Sequence, residues 1–139
     1  MTGVQTYALP ISTAVCSLAL NPARILASVK IQGRTYGLLA QSRVMSVNML
    51  AQDQTELAQR FARRREEGET DRFAPGAWVE RVTGAPVLSD ALAGLDCRIT
   101  DIIPLDSHAI LIGTVEDIVF GPRRAPLVHY DAGFTTVAK

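Results

Sequence analysis

Few groups in this sequence could carry chemistry. His108 and His129 are the only histidines of the 139-residue chain, and Cys16 and Cys97 the only cysteines. Neither cysteine belongs to a CxxC or a mixed Cys/His cluster, so the spacing signals no zinc site and no disulfide framework, and both read as ordinary buried thiols. No GxSxG nucleophile elbow, HExxH pair or diagnostically spaced acidic pair occurs, and neither GxGxxG nor a Walker A sequence is present. Hydrolase, metalloenzyme and phosphate-loop chemistry are therefore disfavoured. A lone histidine entering a strand is ordinarily a packed or hydrogen-bonded structural residue, so the local pattern around His108 stops at a β-rich domain.

Composition narrows the classes further. Fourteen Lys and Arg balance fourteen Asp and Glu, which removes the bulk positive field that holds a nucleic-acid backbone or an anionic membrane. Hydrophobic residues make up 47% and charged residues 20%, the proportions of a folding chain with one core. No apolar run approaches the roughly 18 to 20 residues of a membrane-spanning helix, and a cytoplasmic address is the default expectation.

The elements that must position any site are legible from pattern. Residues 14–20 (AVCSLAL) and 25–31 (ILASVKI) read as buried strands separated by the Asn21-Pro22 turn. A short helix is expected over 34–42 with Thr35 as N-cap, then a strand over 44–50. The clearest helix runs from about residue 54 to 65, with Asp53 and Glu56 at capping-box spacing and Leu57, Ala58, Phe61 and Ala62 on one face. Its tail, Arg63-Arg64-Arg65-Glu66-Glu67-Gly68, reads as a solvated end rather than a basic patch. Residues 69–89 read as an irregular loop pinned by Phe73 and Trp78. Beyond it Leu95, Cys97 and Ile99 alternate with Asp96, Arg98 and Thr100 as in a half-buried strand. A turn over 104–107, a long strand over 108–120 and two short strands over 127–130 and 134–137 complete the chain. The expected fold is mainly β with flanking helices, a partly closed β-barrel, and not a doubly wound α/β sheet.

The stretch TAVCSLALNP followed by ILASVKIQGRTYGLL, then VMSVNMLAQDQTELAQRFA, DRFAPGAW, GAPVLSDALAGLDCRITDIIPLDSHAILIGTVEDI and PLVHYDAGF, resembles the flavin reductase-like, FMN-binding split-barrel family in order and spacing. These are small NAD(P)H:flavin oxidoreductases that often supply reduced flavin to a separate monooxygenase. The resemblance implies a split β-barrel, FMN or FAD as cofactor, NADH or NADPH as cosubstrate, a homodimer, a partner monooxygenase, and neither nucleic acid nor membrane as partner. A flavin-binding module without turnover, and a barrel used only for association, are the alternatives.

The family holds flavin with its first matched strand and the strand, turn and helix that follow. That assigns cofactor contacts to Thr13, Ala14 and Ser17, to Ala27, Ser28, Val29 and Lys30, and to Gly33, Arg34 and Thr35. The residue types suit flavin binding physically, with hydroxyls and main-chain groups for the ring edge, small side chains for its approach, and a helix start with a guanidinium for the phosphate. Lys30 and Gly33 replace residues the family more often has there. His108 matches the family's histidine at the start of the long strand, beside flavin and nicotinamide, with a positioning rather than covalent role. Tyr130 and Phe134 resemble an aromatic pair near the nicotinamide, with plain barrel packing as the alternative.

Upstream of Thr13 the resemblance ends. The string GVQTYALPIS resembles a read-through translation of a sequencing adapter. Residues 1–12 are accordingly expected to be a non-native leader, and residues 13–139 a split-barrel domain lacking its first strands.

Overall fold

The computed structural model describes residues 8–9, 15–62 and 77–137. Its strands are β1 (Ala8–Leu9), β2 (Val15–Leu20), β3 (Ala23–Lys30), β4 (Val44–Met49), β5 (Trp78–Glu80), β6 (Pro86–Leu88), β7 (Ala93–Leu105), β8 (His108–Phe120), β9 (Val128–Tyr130) and β10 (Gly133–Thr135). Helix α1 spans Arg34–Ser42 and α2 spans Thr55–Ala62, the latter preceded by a 3-10 turn over Gln52–Gln54. Thr13, Ala14, Phe73 and the arginine run at 63–65 lie outside the described residues.

Six strands form one sheet in the order β1-β4-β7-β8-β3-β2. Among the described residues only the β1–β4 pair is parallel, with Ala8 opposite Ser46 and Leu9 opposite Val47, so two residues of the expected leader lie at the sheet edge. The edge strands β1 and β2 are neighbours in the chain. A flat sheet of six strands would set them about 24 Å apart, whereas the five intervening residues reach about 21 Å at most. The sheet therefore curls toward a barrel, and because β1 and β2 are not paired among the described residues it stays open there.

Alternation fixes the two faces. Ile25, Ala27 and Val29 of β3, with Ala109 and Leu111 of β8, point inward onto Leu39 of α1, Met45, Val47 and Cys97. A second cluster joins Leu57, Ala58 and Phe61 of α2 to Leu50, Leu88 and Leu127, with the rings of Phe61 and Trp78 tilted at 5.6 Å.

Several local expectations are corrected. Helix α1 is capped by Gly33 at φ 108, not by Thr35, which is its second residue. The reciprocal cap of the 3-10 turn joins Ala51 and Gln54, with the Ala51 N–H donating to Gln54 Oε1 at 2.9 Å and the Gln54 N–H to the Ala51 carbonyl at 2.9 Å. Asp53 instead accepts from Arg124 Nε at 3.1 Å. The expected loop over 69–89 contains the hairpin β5–β6, since Asn48 Oδ1 accepts the Leu88 N–H at 2.9 Å and Ser46 Oγ donates to the Pro86 carbonyl at 2.5 Å. That hairpin covers the sheet beside Asp96, which is fully buried although its place in the alternation is outward. Its carboxylate accepts from the N–H groups of Val82 and Thr83 at 2.8 and 3.0 Å and from the Thr83 hydroxyl. Cys97 is buried as expected, but Cys16 is exposed on β2.

Strand β7 runs through Pro104 to Leu105, into the turn expected over 104–107. The β4 ladder ends at the pair Val44–Arg98, so past it a proline costs no ladder bond on that side. The turn is left to Asp106, at φ 50, and Ser107.

Candidate functional site

Register brings part of the expected site together at one end of the sheet. His108 stands opposite Lys30 of β3 and Leu105 of β7, and the next row on the same face joins Ile110 to Ser28 and Ile103. This outer face is open to solvent: His108, Lys30, Leu105 and Ile103 are all exposed, with Leu105 at 54%. Three aliphatic side chains thus flank an imidazole and an ammonium on one surface. Four residues beyond Lys30, α1 begins at Arg34 with no side-chain cap on its first N–H groups and no acidic residue in its first turn. With Arg34 and Lys30 exposed beside it, that helix end favours an anion. The positive φ of Gly33 is what allows the chain to turn from β3 into α1 there, since an L side chain is strained at 108°.

Ala27 and Val29 point the other way, into the core at 0% and 7% exposure, so only their main-chain groups can meet a ligand. Ser17 pairs with Ile25 and so belongs to that inner-face register at the β2 edge, not to the row of His108. Leu18 lies at the adjoining irregularity, where the register shifts between Ser17 and Ala19.

Tyr130 and Phe134 are not brought to His108. Strands β7 and β8 form a 13-residue ribbon. Met49 and Phe120 flank Ala93 at one end, and Leu105 and His108 pair at the other. The ends are about 40 Å apart along the ribbon. The β9–β10 hairpin belongs to the Met49 end, tied by the Leu127 N–H to the Leu50 carbonyl and the Gln52 N–H to the Ala125 carbonyl, both at 2.9 Å. There Phe134 lines a small opening of about 230 Å³ with Gln52, Thr55, Leu127, Thr135 and Thr136. Phe134 pairs with His129 rather than Tyr130, edge to face at 5.4 Å, while Tyr130 pairs with Gly133 across a turn in which Asp131 and Ala132 both have positive φ. Those two angles mark a type I′ hairpin.

Sequence reasoning missed Ile103, Leu105 and Ile110. Period two counted from Leu95, Cys97 and Ile99 would turn Ile103 and Leu105 inward, whereas the register shift between Ile99 and Asp101 sets them on the outer face, and Pro104 reads as a turn residue. It also missed Ser107, whose hydroxyl lies 2.8 Å from His108 Nδ1 and whose carbonyl accepts the Ile31 N–H at 3.0 Å. The shifted acid–base groups lie elsewhere. Burial, then the charges of Asp96 and Glu116, pushes the Cys97 thiol up to about 12. A hydrogen bond from Arg81 Nε, 2.7 Å long, holds the Asp117 carboxyl below the usual carboxylate range.

A mainly antiparallel sheet, curled but open, with an exposed, partly apolar face and a helix start at one end, defines a split-barrel protein. The chain belongs to the family of the flavin reductase like domain, which it matches over residues 4–138. It is 34% identical over 126 residues to the FMN reductase (NADH) RutF of Enterobacter sp. (strain 638), covering 88% of this chain and 74% of that one. The RutF of Agrobacterium fabrum (strain C58) is 35% identical over 123 residues, covering 86% of this chain and 68% of the other. Among solved structures, BorF, the flavin reductase component of a bacterial two-component tryptophan halogenase, superposes with a TM-score of 0.81 at 27% identity, over 91% of this chain and 79% of that one. A homolog of nitrilotriacetate monooxygenase component B from Mycobacterium thermoresistibile gives a TM-score of 0.79 at 26% identity, over 90% and 69%.

Proposed function

We propose that the chain is an NAD(P)H-dependent flavin reductase that binds FMN or FAD and passes reduced flavin to a partner monooxygenase. Bound flavin supplies the chemistry, accepting a hydride from the reduced nicotinamide. What remains for the protein is to hold two flat ring systems in register and to fix a phosphate, which explains how so few titratable side chains suffice. The observation that carries the reading is the row Leu105–His108–Lys30 beside the uncapped start of α1. Leu105, Ile103 and Ile110 offer an apolar floor, His108 a polar tip, and Lys30, Arg34 and the free N–H groups after Gly33 an anion site. Ser28 and Thr35 add hydroxyls, and Ala27 and Val29 add main-chain groups, whereas Ser17 lies in the opposite-face register and adds nothing to this row. Thr13 and Ala14 belong to the same reading.

The placement of Tyr130 and Phe134 at the far end of the ribbon favours a second reading, a flavin-binding module without turnover in the single chain. A homodimer is the form in which we read the enzyme, supported by the exposed Leu20 and Phe120, which lie outside the row of His108; light scattering that returned monomers alone would remove it. The deciding assay follows NADH oxidation with and without added FMN. Oxidation that depends on FMN is expected, whereas tight flavin binding with no oxidation selects the second reading, and no flavin binding at all sinks both.

A further inference from the structure

We propose that Ser107 sets which ring nitrogen of His108 is offered to the ligand, and so is a positioning residue for the reaction. The inference rests on the reading of His108 as a site residue. Ser107 Oγ lies 2.8 Å from His108 Nδ1, within hydrogen-bond distance. Its own backbone is held in place, because the Ser107 carbonyl accepts the Ile31 N–H at 3.0 Å where β3 leaves the sheet. The turn residue Asp106, at φ 50, brings the chain round so that Ser107 meets Ile31 while His108 starts the strand. One short segment thus ties the ring to the strand that leads into α1.

A serine hydroxyl can donate one hydrogen and accept two. We assign it as the donor, to Nδ1. A neutral imidazole whose Nδ1 accepts carries its hydrogen on Nε2, so His108 offers an N–H at its outer tip. That is the polarity suited to a carbonyl or an oxygen gaining negative charge on a ring being reduced, where a fixed donor stabilises what a rotating one must first find. With the hydroxyl removed, Nδ1 loses its partner and the ring is free both to turn and to exchange tautomers. Ser107 contributes nothing to the core, so its effect should pass through His108 alone.

The test has two arms. In the flavin-free chain, nitrogen-15 spectra of the two histidines, assigned with a His129→Gln variant, report the tautomer. His108 is expected as the Nε2–H form in the wild type and in Ser107→Thr, with the other form rising at least severalfold in Ser107→Ala. In turnover, Ser107→Ala is expected to lower kcat about fivefold to tenfold, as for one lost hydrogen bond, with KM for NADH and Kd for FMN within about twofold and with Ser107→Thr restoring the rate. In a His108→Ala background the same substitution should cost nothing further. An unchanged tautomer in Ser107→Ala, or an undiminished loss in the His108→Ala background, overturns the proposal. If His108→Ala leaves kcat untouched, the reading of the site has failed instead, and the tautomer arm still decides whether Ser107 orients the ring.

Discussion

Lys30 and His108 face one another across the β3–β8 ladder as a non-hydrogen-bonded pair, because the next pair outward, Ile31 with Ser107, carries an N–H···O=C bond of 3.0 Å. Antiparallel ladders alternate, and in the non-hydrogen-bonded pairs the side chains approach most closely, at about 4.5 to 5.5 Å between Cβ atoms. The ammonium and the imidazole are therefore neighbours on one face by the geometry of the strands. With Leu105 on the far side of His108, the row combines a cation, a polar ring and an aliphatic side chain over three strands.

The aliphatic part of that row is the first thing to test. Leu105→Asp should weaken flavin binding about tenfold or more, since it removes an apolar side chain worth roughly 1.5 to 3 kcal/mol when covered and sets a carboxylate where an anionic cofactor approaches. Leu105 is 54% exposed, so the thermal midpoint should scarcely move. Flavin fluorescence titration against a parallel melting curve separates the two. A lost fold, or unchanged flavin affinity, would remove Leu105 from the site.

Arg34 tests the anion end. Arg34→Ala should raise the Kd for FMN about tenfold to hundredfold, the scale of one charge-assisted hydrogen bond at roughly 1.5 to 3 kcal/mol. Riboflavin, which lacks the phosphate, should bind both proteins alike, and the FMN effect should shrink as salt rises. Equal losses for FMN and riboflavin would place Arg34 against the ring or outside the site.

How far the site is legible in the sequence follows from which forces wrote it. Strand β3, helix α1 and strand β8 are readable because their apolar alternation and punctuation are local, and the outward place of Lys30 and His108 follows from that same alternation. Leu105 is hidden by Pro104, which is tolerated because β4 ends at Val44, and by the register shift between Ile99 and Asp101 that turns it to the outer face, both non-local facts. The buried Asp96 is hidden likewise, since its cover comes from Val82 and Thr83 of a hairpin whose own strands have three residues each. The separation of Phe134 from His108 is topological: the 13-residue ribbon sets it, and no residue near Phe134 signals it.

That hairpin depends on Asn48. Its side chain is 1% exposed, accepts the Leu88 N–H at 2.9 Å and donates to Ser46 Oγ at 3.0 Å. Asn48→Ala leaves a buried N–H without a partner, so a loss of about 2 to 3 kcal/mol is expected, or roughly 8 to 12 °C in Tm. Gly94→Ala should fail in the same place, because its Cβ would overlap Val87 Cγ1 and sit 2.9 Å from Asn48 Oδ1. Calorimetry checks both, and a change within about 0.5 kcal/mol for Asn48→Ala, the range of ordinary surface substitutions, would mean that the network does not hold the hairpin.

The two thiols should behave as opposites. Cys16 is exposed and should react with a disulfide reagent in the folded chain, whereas Cys97 should react only on unfolding. The shift of Cys97 also predicts a pH dependence. Its pKa is raised from 9.0 to about 12 in the folded chain, chiefly by burial and then by the charges of Asp96 and Glu116. Above pH 9 the unfolded chain releases a proton that the folded chain retains. The stabilisation associated with keeping the thiol neutral is therefore fully present below pH 9 and is lost as pH rises toward 12, at up to about 1.4 kcal/mol per pH unit. Other groups titrate in the same range, so the comparison is with Cys97→Ala, which lacks the thiol and keeps the rest. Urea unfolding of both proteins should give stabilities whose difference narrows as pH climbs past 9, because only the wild type has this proton to lose on unfolding. Parallel curves would show that Cys97 ionises as easily folded as unfolded, and that its neighbours Asp96 and Glu116 are better solvated than their packing implies.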